Sequence, residues 1–151
     1  MLATVKPNES VPVLAKILVI DDNPIIQRTV YFALRDRGYK VFMSGEISDA
    51  LNIVRMEKPD LILLDINFPP DGSVGGVRDG FWALDWMQRM NELRGVPIAM
   101  ISGDAPEKSE ARARAGGAAA YIHKPLDREA LAEVVAALLA QKKSATEKSG
   151  K

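Results

Sequence analysis

Short apolar runs alternate along this chain with segments whose apolar residues return every three or four positions, the periodicities of strand and helix respectively. The alternation predicts five β-α pairs: β1 at Lys16–Ile20 and α1 at Pro24–Arg37, β2 at Lys40–Ser44 and α2 at Ser48–Glu57, β3 at Asp60–Asp65 and α3 at Gly80–Leu93, β4 at Pro97–Ser102 and α4 at Pro106–Ala115, and β5 at Ala119–His123 and α5 at Asp127–Gln141. The boundaries carry local signals. Asn23 and Pro24 suit the N-cap and first turn of α1, Gly38 suits the residue after its end, Ser48 and Asp127 can cap α2 and α5, and Pro59 and Pro97 stand just before strands. β3 and β4 are almost uniformly apolar, as strands covered on both faces must be. The pattern therefore implies an α/β fold, a doubly wound five-stranded parallel sheet with helices on both sides.

Within α3, Phe81, Leu84, Met87 and Asn91 follow one face, which leaves Trp82 and Trp86 on a neighbouring stripe. Two readings stay open for the tryptophans: the segment before the helix folds over them, which is favoured, or they form a docking patch for a partner. α4 is polar and Ala-rich, which suits a mobile element or a marginal surface helix. Both ends of the chain lose periodicity. Residues 1–14 include Pro7, Asn8, Glu9, Ser10 and Pro12, and residues 142–151 are Lys, Ser, Ala, Thr, Glu and Gly. A flexible N-terminal tail and a disordered C-terminal tail are expected to flank one domain over 15–141.

Composition narrows the partners more than the fold. The 151 residues, 47% hydrophobic and 26% charged, suffice for one domain with a full core. Lysine and arginine number 20 and aspartate and glutamate 20, so the formal charge is zero. No basic stripe stands out, and a direct nucleic-acid partner is disfavoured. The lack of cysteine excludes disulfides, thiolate metal sites and cysteine nucleophiles. No apolar stretch reaches membrane-spanning length and no signal-peptide pattern opens the chain, so the expected protein is cytoplasmic and not inserted in a membrane.

Charge placement points to chemistry. Asp21-Asp22 and Asp65 each end an apolar run. In a sheet of order 2-1-3-4-5, strands one and three are neighbours, and their carboxyl ends open on the crevice where the order reverses. Three carboxylates gathered there repel one another unless a cation neutralises them or one is consumed by reaction. A hard divalent ion such as Mg²⁺ takes about six oxygen ligands and accepts such a carboxylate set. The ends of strands four and five add Ser102, a hydroxyl donor, and Lys124, an ammonium. A carboxylate nucleophile, a metal, a cation and a donor are the parts that phosphoryl transfer needs.

Asp21-Asp22, Leu63-Leu64-Asp65, Ile101-Ser102-Gly103 and His123-Lys124-Pro125 together resemble the motif set of response-regulator receiver domains over roughly residues 15 to 140. The resemblance implies a flavodoxin-like (βα)5 fold with strand order 2-1-3-4-5. It implies that Asp65 accepts a phosphoryl group from a histidine kinase or a histidine phosphotransfer protein. Mg²⁺ would be held by Asp21, Asp22, Asp65 and the backbone carbonyl of Asn67. Lys124 would contact the phosphate, with Lys124-Pro125 a cis peptide, and Ser102 and Tyr121 would be the switch residues that alter the α4-β5-α5 face for a downstream target protein. Such a module catalyses only its own phosphotransfer and dephosphorylation and is not otherwise an enzyme. With no chain after helix five to form an output domain, a stand-alone regulator of two-component or phosphorelay signalling is expected.

One departure lies between Asp65 and the Asp79-Gly80 pair that should open α3. The stretch from Phe68 to Arg78 is longer than usual for the family, and Asp71-Gly72 is an alternative match to the family's Asp-Gly. His123 alternates to the side of β5 opposite Lys124, so it is left outside the site. Asn67 and Asp104, by family position, flank water access to the phosphoryl group and imply fairly quick self-dephosphorylation. The competing function is a Mg²⁺-dependent phosphohydrolase with Asp65 as nucleophile. Such enzymes usually place an acid-base carboxylate two residues after the nucleophile, where this chain has Asn67.

Overall fold

The computed structural model describes residues 13–66 and 79–149, with side chains as far as Lys142. Its five strands form one parallel sheet in the order β2-β1-β3-β4-β5, as expected. The observed elements are β1 Lys16–Ile20, α1 Pro24–Arg35, β2 Lys40–Ser44, α2 Ile47–Glu57, β3 Leu61–Asp65, α3 Gly80–Gln88, a 3-10 turn at Asn91–Leu93, β4 Ile98–Ser102, α4 Pro106–Ala115, β5 Ala120–His123 and α5 Arg128–Ser149.

Alternation along the three central strands builds two cores. Leu18, Ile20, Ile62, Leu64, Ile98 and Met100 face α2, α3 and α4, whereas Ile17, Val19, Leu61, Leu63, Ala99 and Ile101 face α1 and α5. Each strand is therefore apolar on both faces, the physical reason for its unbroken run. Full burial of each large aliphatic side chain stabilises the fold by roughly 1.5–3 kcal/mol.

Several element ends differ from the sequence reading. α1 stops at Arg35, because its last turn closes through Gly38 N–H to the Arg35 carbonyl and Tyr39 N–H to the Leu34 carbonyl, with Gly38 at φ +95°. Ser48 does not cap α2. The helix begins at Ile47, and the Ser44 hydroxyl instead accepts from Glu46 N–H and donates to its carbonyl just before it. α3 ends at Gln88, not Leu93: Arg89 and Met90 donate to carbonyls only three residues back, and Met90 turns extended. Asn91 is consequently exposed, and Leu93 fills the core position instead. α5 runs on to Ser149, so the segment predicted as a tail from Lys142 is helical to that residue; it meets no glycine before Gly150. Lys142 itself pairs with Asp60 at 3.2 Å, across the sheet end opposite the aspartates.

Asn23 caps α1 by accepting from Ile25 N–H at 2.9 Å, and Asp127 accepts from Ala130 N–H at 3.3 Å at the start of α5. Both follow the sequence reading. Trp82 and Trp86 stack with ring centroids 5.7 Å apart, and Trp86 is 45% exposed. The segment expected to cover them, and the Asp71-Gly72 alternative, lie outside the described residues.

Candidate functional site

Strand register assembles the site. Ile20 pairs with Leu64, so the next residues, Asp21 and Asp65, stand side by side; Asp65 pairs with Ile101 and Ser102 with His123, which brings Ser102 and Lys124 to the same edge. One ligand oxygen from each of Asp21, Asp22 and Asp65 falls within 4.8 Å of the others. Asp21 and Asp65 are buried and Asp22 is exposed.

Each carboxylate is fixed by its local chain. Asp21 N–H donates to the Ser44 carbonyl at 3.0 Å, which ties the end of β1 to β2. Its Oδ1 accepts from Asn23 N–H at 2.8 Å, and its backbone carbonyl accepts from the Gln27 amide. Beyond Asp65, Ile66 N–H reaches the Ile101 carbonyl at 2.9 Å and Gly80 N–H returns to the Ile66 carbonyl at 3.0 Å. Gly80 has to be glycine, since a Cβ there would lie 2.2 Å from the Asp65 carbonyl oxygen and 2.6 Å from Ile66 Cα. Asp79 caps the helix by accepting from Trp82 N–H at 3.1 Å. Asp79-Gly80 thus opens α3 and presses its start against the end of β3.

Lys124 follows the end of β5, its N–H bonded to the Ser102 carbonyl at 2.7 Å and its peptide to Pro125 cis. Its ammonium lies 3.3 Å from Asp21 Oδ2 and 3.4 Å from Asp65 Oδ1. The contact to Asp65 is a hydrogen bond. The contact to Asp21 is within ion-pair distance but misaligned, so Asp21 Oδ2 is buried with no hydrogen-bond partner. Among the described residues, the Lys124 ammonium reaches two of these three carboxylates. An all-oxygen donor set with a buried, unsatisfied carboxylate oxygen fits Mg²⁺. The carbonyl of Asn67, the fourth ligand implied by the sequence, lies outside the described residues.

Ser102 is fully buried, and its hydroxyl accepts from Asp104 N–H at 2.9 Å. Tyr121 is half-buried against the core on the α2, α3 and α4 side, its hydroxyl donating to the Asp104 carbonyl at 2.7 Å. His123 is exposed, with Nε2 3.3 Å from the Gly103 carbonyl. One feature of the site escapes sequence reasoning. An oxygen of the Asp104 carboxylate accepts from Ser109 of α4 at 3.0 Å, where family position suggested an interaction with water. The only sequence signal for Ser109 is its spacing from Ala113, which puts two small residues on one side of an otherwise polar helix.

A parallel (βα)5 sheet with an acidic pocket and a lysine at its carboxyl edge is the arrangement of a phosphorylation-controlled signalling domain. Residues 17–136 match the family described as "Response regulator receiver domain", and the chain belongs to that family. It is 30% identical over 110 residues to the polar-differentiation response regulator DivK of Brucella anthropi, covering 73% of this chain and 84% of DivK. It is 29% identical over 127 residues to the protein PilH of Pseudomonas aeruginosa, covering 84% of this chain and 99% of PilH. Among solved structures, NtrX from Brucella abortus superposes with a TM-score of 0.80 at 30% identity. That match covers 90% of this chain but only 29% of NtrX. The chemotaxis response regulator CheY4 of Vibrio cholerae superposes with a TM-score of 0.71 at 28% identity, covering 82% of this chain and 98% of CheY4. Among the described residues no helix is long and apolar enough to cross a membrane.

Proposed function

We propose that this receiver domain takes a phosphoryl group from a phosphohistidine of a histidine kinase or histidine phosphotransfer protein onto Asp65. A carboxylate oxygen of Asp65 forms the new bond to phosphorus, the phosphorus–nitrogen bond to the donor imidazole breaks, and the bond's electron pair stays with that nitrogen. Asp21, Asp22 and Asp65 would hold Mg²⁺, which supplies positive charge to the transferring oxygens. Lys124, already 3.4 Å from Asp65, balances a further oxygen, and Ser102 donates its hydroxyl proton to another. Ser102 and Tyr121 then carry the event to the α4-β5-α5 face, where a downstream protein binds. The domain acts as a cytoplasmic switch that catalyses only its own phosphorylation and dephosphorylation.

The observation that carries this reading is the unsatisfied, buried Asp21 Oδ2 beside Asp65 and Lys124. Acetyl phosphate with Mg²⁺ is expected to label the protein at one phosphoryl group per chain, and Asp65→Asn or withdrawal of Mg²⁺ to abolish the label. Repeated release of phosphate from small esters would favour a phosphohydrolase instead. The label should also decay on the purified protein; a lifetime of many hours would contradict the rapid self-dephosphorylation inferred for Asn67 and Asp104.

A further inference from the structure

The connection between β4 and α4 is gripped at Asp104 on three sides. Its N–H donates to Ser102 Oγ, its carbonyl accepts from Tyr121, and its carboxylate accepts from Ser109. Two of these partners are the residues assigned above to switching. The third belongs to α4 and has no role in the phosphoryl site.

α4 depends on that third bond more than an ordinary helix would. Its N-cap residue, Ala105, offers no side-chain acceptor, and within the helix only Ser109 and Ala113 are buried, so its first two turns bury no apolar side chain. The Asp104 carboxylate, just outside the helix, instead holds the start of α4 through the Ser109 hydroxyl. A buried hydroxyl stripped of its partner is costly, so Ser109 and Asp104 tend to move together.

We propose that Ser109 is a positioning residue that couples Ser102 to α4. A rotation of the Ser102 side chain toward a phosphorylated Asp65 carries its oxygen away from Asp104 N–H, which frees the loop to shift. The shift reaches α4 through the Asp104 carboxylate and the Ser109 hydroxyl. The inference rests on the phosphoacceptor reading of Asp65 and adds the route by which α4 learns of the event.

The test is amide hydrogen exchange across residues 104–115 of the full chain, with Mg²⁺ alone and with Mg²⁺ plus beryllium fluoride as the phosphoryl stand-in. In the wild type, beryllium fluoride is expected to change exchange in the first two turns of α4 by about tenfold, the scale set by one hydrogen bond to a charged group. Ser109→Ala should lose most of that change while still taking one phosphoryl group from acetyl phosphate. Ser109→Thr, which keeps the hydroxyl, should restore it. Asp104→Ala cuts the same bond from the other side and should reproduce the loss, so it decides the matter if Ser109→Ala does not fold. Failure of the wild type to be labelled at Asp65 would sink the phosphoacceptor reading itself. Labelling with no α4 response in the wild type, or with an equal response in Ser109→Ala and Asp104→Ala, would overturn the coupling and leave that reading standing.

Discussion

Asp21 Oδ2 is shielded from water, close to a second buried carboxylate and unaligned with the Lys124 ammonium. Removing its charge relieves repulsion without opening a cavity, because asparagine has nearly the same volume and can donate toward Asp65. Asp21→Asn is therefore expected to stabilise the metal-free protein by about 1 kcal/mol in urea unfolding, and to weaken Mg²⁺ binding at least tenfold by calorimetric titration. Unchanged stability with unchanged Mg²⁺ affinity would remove Asp21 from the ligand set. The residues of the candidate site were legible in the sequence because carboxylate, hydroxyl and ammonium groups stand at strand ends, where little else explains them. Gly80 and Ser109 were not legible in those roles. What each does depends on which backbone or side chain another element brings against it, and no local pattern encodes that.

At the scale of elements, strands were read almost to the residue, whereas helix ends shifted. A strand's limits follow from its own apolar run, but a helix end is set by tertiary competition for the last turn. α3 shows this: the sequence permits helix to Leu93, yet turning the chain after Gln88 buries Leu93 and exposes Asn91. α5 shows the reverse, since nothing before Gly150 stops it. The start of α3 is the least forgiving junction. Gly80→Ala places a methyl group against the backbone at the end of β3, with no flexible side chain to give way. It is expected to cost about 3 kcal/mol in denaturant unfolding and to reduce labelling of Asp65, because α3 or the Asp65 backbone must move. Retention of both would show that α3 can slide away freely. Trp86, stacked on Trp82 but half in solvent, belongs to the surface side of this helix, while Leu84 and Met87 hold it to the sheet.

Across the whole molecule, chemistry and anchoring occupy opposite ends. The carboxyl edge of the sheet concentrates like charge, while at the other end Lys16 pairs with Glu57 and Lys142 with Asp60. Mg²⁺ that binds only the folded state should therefore stabilise the whole domain, by about 2.7 kcal/mol at 100 times its dissociation constant. Urea unfolding with increasing Mg²⁺ would show it, and Asp65→Asn should blunt the increase. If stability is independent of Mg²⁺ in the wild type, the acidic cluster is not a metal site.

The return bond from Gly80 N–H to the Ile66 carbonyl, at 3.0 Å, has a use beyond catalysis. The chain leaves β3 and rejoins α3 through what is nearly a single point, so whatever is spliced between them need not bridge any distance. Closure entropy changes by only about 0.6 kcal/mol for each doubling of such a connection. Replacing residues 68–77 with Gly/Ser linkers of half or twice the length is expected to change the free energy of unfolding by no more than about 0.6 kcal/mol. A steeper dependence on length would mean that the native segment contributes packing of its own. With the weak dependence, the junction becomes a grafting point, where a reporter or binding peptide can be placed beside Asp65 without rebuilding the sheet that holds it.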